Sequence, residues 1–262
     1  MKWWHLLLGL IGLYGLAIIL LNLFLGKMVF LPKKLASDYE FRFDFPFEEL
    51  WLEGSELTIN ALFFPSQVQR KGLLIYLHGN ADNLQRWGTY TIDFTSIGYD
   101  VIAIDYPGYG KSLDSPSEAK VYASAELAWS WAVSRYPAEK IIIYGRSLGS
   151  APASYLSSQH KARMLILETP FYSIPDVLNR RNFFIPWFNN DYHFPNYQFL
   201  EDSKNDAYIV QGTRDKIVPY ASAVELKPFL TDDTRFKVIE GGGHRNLSTF
   251  DEYHHWLRRI LE

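Results

Sequence analysis

Seven short apolar runs, each about the length of a β-strand, recur along most of this 262-residue chain. They are near-continuous rather than alternating, which is typical of strands that are buried on both faces of a sheet. Helical stretches such as 118–136 lie between several of them. The runs are Leu57–Phe64, Leu73–Leu77, Val101–Ile104, Ile141–Tyr144, Met164–Leu167, Tyr208–Val210 and Phe236–Ile239. The pattern predicts an α/β fold, a mostly parallel sheet flanked by helices, in one domain over residues 27–262.

Composition excludes several other classes of protein. Hydrophobic residues make up 48% and charged residues 21%, so the chain can bury a sizeable core. Lys and Arg number 26 against 29 Asp and Glu, and they form no basic stripe, so nucleic-acid binding has no electrostatic basis. The absence of Cys rules out a disulfide framework, thiolate metal sites and a cysteine nucleophile.

Residues 3–25 predict a transmembrane helix. Their only polar side chains are those of His5 and Asn22, and a helix of this length can cross a hydrocarbon core about 30 Å thick. A cleaved signal peptide and a buried helix are the alternatives. The run is long for a signal peptide, and Lys33 and Lys34 stand where a cleavage site would need small residues. We therefore expect a single-pass anchor, with the membrane as a partner.

The flanking charges suggest which side of the membrane the rest of the chain occupies. Lys2 and the terminal amine precede the apolar segment, whereas Lys27, Lys33 and Lys34 follow it. Because positive charge is retained on the cytoplasmic side, the larger number of lysines after the segment weakly favours a cytoplasmic globular domain. Protease accessibility in intact cells would decide the question.

A serine in a tight turn is the first candidate for chemistry. Residues 145–149 read G-x-S-x-G, between an apolar strand run and a helix of small residues. This is the context of a nucleophile elbow, in which Ser147 takes a positive φ and a side chain at Gly145 or Gly149 would collide with the strand or helix. The turn would hold the hydroxyl at the carboxyl ends of the strands, where ligands bind in such sheets.

A serine nucleophile needs a base, and the base needs an acid to orient it. His244 follows the last strand run through a turn of three glycines, 241–243, and Asp215 lies just past the preceding run. The order Ser147, Asp215, His244 is the one expected for an enzyme with this kind of elbow. Glu168, at the end of another strand run, is the alternative acid. The hypothesis requires that the three side chains meet.

Two backbone amides are expected to bind the oxyanion of a tetrahedral intermediate. The amide of Leu148 comes with the elbow. The second should come from the loop after residues 73–77, where Asn80 is our choice and Ala81 the alternative. His78 stands at the end of that strand run, and we expect it to fix the loop rather than to act as the base.

Residues 108–112, Gly-Tyr-Gly-Lys-Ser, are similar to a phosphate-binding loop. That motif needs a glycine five residues before its Gly-Lys pair, and here the position is Asp105. A nucleotide hydrolase or kinase is therefore not indicated. The chemistry proposed for Ser147 needs no cofactor and no metal, and we expect neither.

Five motifs occur in an order that resembles the α/β-hydrolase superfamily from about residue 30 onwards. They are His78-Gly79-Asn80-Ala81, Asp105–Ser112, Gly145–Gly149, Asp215–Pro219 and Gly243-His244. The nearest branch looks like the small membrane-anchored serine hydrolases of the Bem type, grouped with abhydrolase-domain depalmitoylases and monoacylglycerol-lipase-like enzymes. The resemblance implies Ser147 as nucleophile, Asp215 as acid and His244 as base. One departure is Asp82, where relatives often carry Gly.

Residues 171–206 lack strand periodicity and are expected to form a cap over the site. Ten aromatic residues fall between positions 171 and 199: Phe171, Tyr172, Phe183, Phe184, Trp187, Phe188, Tyr192, Phe194, Tyr197 and Phe199. They could simply bury one another at the sheet edge. Alternatively they form a lid whose inner surface holds an acyl chain or faces the bilayer.

The sequence thus predicts a hydrolase of carboxylic esters or thioesters, acting on small-molecule or lipid-like acyl substrates. A serine exopeptidase is a second possibility, and it would need carboxylates such as Glu168, Asp176 or Asp191 to bind a free amine. A non-catalytic membrane scaffold that keeps the fold is a third.

Overall fold

Ten strands occur within residues 3–181 and 191–262, the parts of the chain that this computed structural model describes. Eight of them form a central sheet, and the short strands β1 and β5 form a second, two-stranded sheet. The strands are β1 (Leu31–Pro32), β2 (Glu48–Glu53), β3 (Thr58–Phe64), β4 (Gly72–Leu77), β5 (Ala81–Asp82), β6 (Tyr99–Ile104), β7 (Ile141–Arg146), β8 (Met164–Glu168), β9 (Ala207–Gly212) and β10 (Phe236–Ile239).

The central sheet has the order β10-β9-β8-β7-β4-β6-β3-β2. All neighbours from β10 to β6 are parallel, and β3 pairs antiparallel with both β6 and β2. The predicted, mostly parallel sheet is therefore confirmed. Because parallel strands share their carboxyl edge, the loops after β4, β7, β9 and β10 lie on the same side of the molecule.

All seven apolar runs are strands in the structure. Among the described residues, the edge strand β2 is the one long strand that the sequence pattern did not predict. It reads Glu-Glu-Leu-Trp-Leu-Glu, and most of its side chains are exposed. A strand that pairs on one side only and faces solvent lacks the continuous apolar run of a buried strand.

Helices cover both faces of the sheet. The helices are α1 (Trp3–Leu23), α2 (Leu25–Val29), α3 (Leu84–Trp87), α4 (Ile92–Thr95), α5 (Glu118–Val133), α6 (Ser150–Gln159), α7 (Ile174–Arg181), α8 (Asn196–Glu201), α9 (Tyr220–Val224) and α10 (Asp251–Leu261). Strand β4 shows the arrangement: Leu73 and Ile75 join the core under α5 and α6, whereas Leu74 and Tyr76 join the core under α3, α4 and α10.

Helix α1 is exposed over nearly all of its length, and it is long and apolar enough to cross a membrane. A signal sequence near an N-terminus can also meet this criterion of length and composition. The short helix α2 behaves differently, because Leu25 and Val29 are buried in the core of the globular domain. The last part of the predicted apolar segment therefore belongs to the packed domain.

The region between β8 and β9 contains α7 and α8. Four of the aromatic residues expected in a cap, Phe183, Phe184, Trp187 and Phe188, lie outside the described residues. Two others, Phe171 and Phe194, are buried in the core on the side of α5 and α6. These two support the interpretation that part of the segment buries its own aromatic rings.

Candidate active site

The turn between β7 and α6 presents Ser147 at the carboxyl edge of the sheet. Its φ of 52° lies in the left-handed region, which few side chains adopt. A Cβ atom added at Gly145 would overlap the carbonyl oxygen of Gly149, and one added at Gly149 would overlap that of Leu77. Glycine is therefore required at both positions if the strand, the turn and the helix are to pack this closely.

Asp215 and His244 meet Ser147 from the two neighbouring strands at the sheet edge. Asp215 follows β9 and His244 follows β10, and these strands are paired in parallel. The Nε2 atom of His244 is 2.9 Å from Oγ of Ser147, and its Nδ1 atom is 2.8 Å from Oδ2 of Asp215. The structure thus brings together all three side chains that the sequence analysis selected, in the geometry that proton transfer from Ser147 requires.

The carboxyl group of Asp215 is held by three further donors. The backbone N–H groups of Ile217 and Val218 donate to Oδ1, over 2.8 and 2.9 Å. The side chain of Gln211 donates to Oδ2 over 3.2 Å. With these bonds the carboxylate has one orientation, which faces His244.

Glu168, the alternative acid, is bound elsewhere. Its Oε1 atom is 3.0 Å from Nε of Arg146, an ionic contact without hydrogen-bond alignment, and its Oε2 atom accepts from the hydroxyl groups of Tyr144 and Tyr253. Burial opposes a charge on Arg146, but the Glu168 carboxylate and the neighbouring tyrosine hydroxyl groups together outweigh burial and raise the pKa of the guanidinium. Burial, and then Glu168, raise the pKa of Tyr144 and of Tyr253, so both hydroxyls stay protonated and can donate.

His78 orients the loop that carries Asn80. Its Nδ1 atom is 2.7 Å from the carbonyl oxygen of Gly79, in the same peptide group as the Asn80 N–H. Its Nε2 atom is 3.1 Å from Oδ1 of Asp105, and both side chains are completely buried. Burial raises the pKa of Asp105, although the hydrogen bond with His78 opposes this. These contacts direct the Asn80 N–H away from His78.

A cavity of about 140 Å³ opens beside the Ser147 hydroxyl. Asn80, Leu148 and Arg181 are among the residues around it, and most of its surface is apolar. The apolar side chains come from α2, from α7 and from the loops after β8 and β9. They are Leu25, Met28, Val29, Phe171, Ile174, Val177, Leu178, Ile217 and Val218. The cavity could hold a short apolar group next to the serine.

The sequence analysis missed several contributors to the site. Tyr109, in the motif set aside as a false phosphate loop, donates its hydroxyl to the Asn80 carbonyl oxygen over 2.7 Å. Leu31 donates its backbone N–H to the same oxygen over 2.9 Å. The similarity of Asp105–Ser112 to a family motif was the available signal for Tyr109. No local pattern pointed to Leu31, because the contact involves only its backbone.

Within residues 3–181 and 191–262, no three His, Asp or Glu side chains are grouped so that they could hold a metal ion. Among the described residues, the polar side chains that line the cavity are those of Ser147, Asn80 and Arg181. The imidazole of His244 contacts the Ser147 hydroxyl, and the two adjoining loops supply backbone amides. Such a set is suited to nucleophilic attack on a polarised carbonyl group.

Known proteins with related sequences and folds share this architecture. The profile of a family described as alpha/beta hydrolase fold matches residues 72–200. The human alpha/beta hydrolase domain-containing protein 17B is 27% identical over 211 residues, which cover 78% of this chain and 70% of that protein.

Two solved structures agree in fold. An esterase of Pyrococcus furiosus has a TM-score of 0.69 at 16% identity and covers 89% of this chain and 97% of its own. Est1E from Butyrivibrio proteoclasticus, with ferulic acid bound, has a TM-score of 0.63 at 16% identity and covers 81% of this chain and 100% of its own. The profile match, the sequence relatives and the solved structures agree that the chain has the α/β-hydrolase fold.

Proposed function

We propose that this protein is a serine hydrolase that cleaves carboxylic ester or thioester bonds of acyl or lipid-like substrates. The observation that carries the proposal is the continuous contact from Asp215 through His244 to Ser147, with distances of 2.8 and 2.9 Å. In this arrangement the imidazole can accept the serine proton, and the carboxylate stabilises the positive charge that results.

The first half of the reaction forms an acyl-enzyme. Oγ of Ser147 attacks the acyl carbonyl carbon while its proton passes to Nε2 of His244. The backbone amides of Leu148 and Asn80 donate to the oxyanion of the tetrahedral intermediate, and one such donor is worth about 10²–10³ in kcat. When the intermediate collapses, the bond to the leaving oxygen or sulfur breaks, and His244 returns the proton to the departing alcohol or thiol.

The second half of the reaction repeats these steps with water. His244 takes a proton from water as the water oxygen attacks the acyl carbon. Ser147 then leaves with the proton held by His244, and the carboxylic acid is released. The imidazole is neutral again after each half, so no other acid or base is needed.

Covalent labelling with a fluorophosphonate probe tests the role of the serine. The wild type is expected to label, and Ser147→Ala to lose all labelling. Ser154→Ala is a matched control on the following helix, because the Ser154 hydroxyl is buried and has no hydrogen-bond partner among the described residues. Folded wild-type protein that does not label would contradict the proposal.

The apolar cavity supports an acyl or lipid-like substrate. Side chains such as those of Val177, Leu178 and Val218 offer little to a charged group, but each methylene group that they bury is worth about 0.8 kcal/mol. We expect p-nitrophenyl or thioester substrates with medium-length acyl chains to be hydrolysed faster than acetyl substrates. Equal or faster turnover of acetate would refute an acyl-binding role for the cavity.

We also propose that α1 anchors the enzyme as a single membrane-spanning helix. Its length, composition and exposure support this, and the charges around it lean towards a cytoplasmic catalytic domain. An intact N-terminus in membranes washed with alkaline carbonate is the expected result. A mature protein that begins after residue 25 would instead identify a cleaved signal peptide.

A serine exopeptidase is less well supported. Its amine-binding carboxylates would have to be free, but Glu168 faces Arg146 and Asp176 is paired with Arg180 over 2.7 Å. A scaffold without catalysis has no need for the contacts among Ser147, His244 and Asp215. Resistance of aminoacyl-p-nitroanilides to cleavage would separate the esterase from the peptidase.

A further inference from the structure

The residues between the apolar helix α1 and position 35 lie across the candidate active site. Strand β1 pairs in parallel with β5, which belongs to the loop that carries Asn80. The N–H of Leu31 donates to the Asn80 carbonyl oxygen over 2.9 Å, and the N–H of Lys33 donates to that of Asp82 over 3.2 Å. The loop after β4 is thus joined to the segment that follows α1 by backbone hydrogen bonds.

The same segment also holds the Asn80 side chain. The Nδ2 atom of Asn80 donates to the carbonyl oxygen of Val29 over 3.2 Å. The segment is also bound to the loop after β6. The N–H of Gly110 donates to the carbonyl oxygen of Lys33, and the N–H of Leu35 donates to the carbonyl oxygen of Gly110. Asn80 therefore has both its side chain and its carbonyl group tied to residues that directly follow α1.

Helix α2 forms one wall of the cavity beside Ser147. Leu25 and Val29 are buried there, whereas Met28 is 43% exposed at the cavity rim. The next residue, Phe30, packs edge-on against Tyr192, with ring centres 5.6 Å apart. These side chains begin two residues after the end of α1, so an acyl chain in the cavity would touch the segment next to the apolar helix.

We propose that residues 25–34 are a working part of the active site. Their backbone positions the Asn80 amide for the oxyanion, and the side chains of Leu25, Met28 and Val29 set the length of the acyl group. This inference rests on the proposed serine hydrolase function, and it adds that the membrane-proximal segment is a specificity-determining and positioning element. Acyl substrates that lie in the bilayer would then reach Ser147 alongside α1.

Met28 offers the sharpest test of the cavity wall, because it is half-exposed and can be changed in either direction. The test uses full-length protein in detergent micelles and the ratio of kcat/KM for p-nitrophenyl octanoate to that for the acetate. Met28→Trp fills the cavity and should lower the ratio at least tenfold. Met28→Ala enlarges it and should favour chains longer than those the wild type prefers, by about fourfold for each additional methylene group buried.

Leu23→Trp is the matched control. Leu23 ends α1, is 70% exposed and does not line the cavity. It receives the same bulky side chain in the same part of the chain, so its octanoate-to-acetate ratio should equal that of the wild type. A ratio that changes equally in Leu23→Trp and Met28→Trp would overturn the proposed wall.

Leu31→Pro tests the positioning of Asn80, because proline removes the N–H that binds the Asn80 carbonyl oxygen. The backbone should accept it: Phe30 is already extended, with φ −110° and ψ 123°, as a residue before proline must be. The comparison is Leu31→Ala, which loses the side chain but keeps the N–H. We expect kcat for acetate about tenfold lower in the proline variant than in the alanine variant, with KM within about twofold.

The outcomes separate the two proposals. A wild type that fails to label with fluorophosphonate refutes the serine hydrolase, and with it this inference. The inference alone is refuted if the wild type labels and two other results are obtained. These results are an unchanged octanoate-to-acetate ratio in the Met28 variants and an equal kcat in the two Leu31 variants. If Leu31→Pro does not fold, as shown by its Tm, the Met28 variants decide, since a half-exposed side chain is not needed for folding.

Discussion

Arg146, at the end of β7, and Glu168, at the end of β8, form an ion pair next to the turn that carries Ser147, with both side chains almost completely buried. The guanidinium also lies over the ring of Tyr90, 4.8 Å from its centre, and Nη2 donates to the carbonyl oxygen of His244 over 3.4 Å. The Arg146 side chain thus connects the end of β7, which carries it, with the end of β8 and the loop of His244. The pair therefore connects these elements, and neither side chain lines the apolar cavity.

Glu168→Ala should destabilise the fold far more than it affects the chemistry. It leaves the Arg146 guanidinium buried without a counter-charge, which typically costs about 3–5 kcal/mol of the free energy of unfolding. Glu168→Gln keeps the shape and should cost less. Urea denaturation measures the loss, and kcat of the protein that remains folded should stay within about tenfold of wild type. A complete loss of kcat in folded Glu168→Gln would restore Glu168 as the catalytic acid.

Asp215→Asn should lower kcat strongly while it changes the stability of the fold little. The amide has nearly the same shape, so the bonds from Ile217 and Val218 can persist and stability should change little. It no longer holds His244 in the tautomer that accepts the serine proton, and kcat should fall about 10⁴-fold. Steady-state kinetics with a p-nitrophenyl ester measure this. A loss smaller than about tenfold would show that another group orients His244.

Asp82 has a φ of 73°, a conformation that glycine adopts without strain. Asp82→Gly should therefore be more stable than Asp82→Ala by about 1 kcal/mol, because both variants lose the contact with Arg86 and only alanine retains the backbone strain. Thermal unfolding of the two variants measures the difference. Equal Tm values would mean that the backbone relaxes at this position.

The buried pair of Asp105 and His78 should make stability depend on pH. Burial raises the pKa of Asp105 in the folded chain above the unfolded value, which is near 3.9. The folded state then holds a proton that the unfolded state releases. Its contribution to stability is complete below about pH 3.9 and is lost as the pH rises through the folded-state pKa.

Asp105→Asn removes this titration, because the amide can donate to Nε2 of His78 and accept from the Leu84 N–H as a protonated carboxyl does. Between pH 4 and pH 8 the stability of the wild type should fall relative to that of Asp105→Asn. Urea midpoints of both proteins across this range test the prediction. A constant difference would show that Asp105 has the same protonation state throughout.

Local sequence patterns were sufficient for the central sheet and for the choice of residues at the site. A strand buried on both faces needs apolar side chains on both, so β4, β6 and β7 are visible as continuous runs. A sharp turn with Ser147 between two glycines is likewise a local steric requirement. The order of Ser147, Asp215 and His244 along the chain completed the hypothesis because each follows a strand that ends at the same edge.

Tertiary structure decided the contacts between segments far apart in the chain. Asp215 follows one buried strand and Glu168 ends another. The contacts of Glu168 with Arg146, Tyr144 and Tyr253 direct it away from His244, which Asp215 binds. The pairing of Leu31 with the Asn80 loop uses backbone groups, which every non-proline residue carries. The residue types in the sequence therefore do not predict it. The types of the side chains along a segment indicate whether the segment is buried. A backbone hydrogen bond between residues 49 positions apart depends instead on where the folded chain places the two strands.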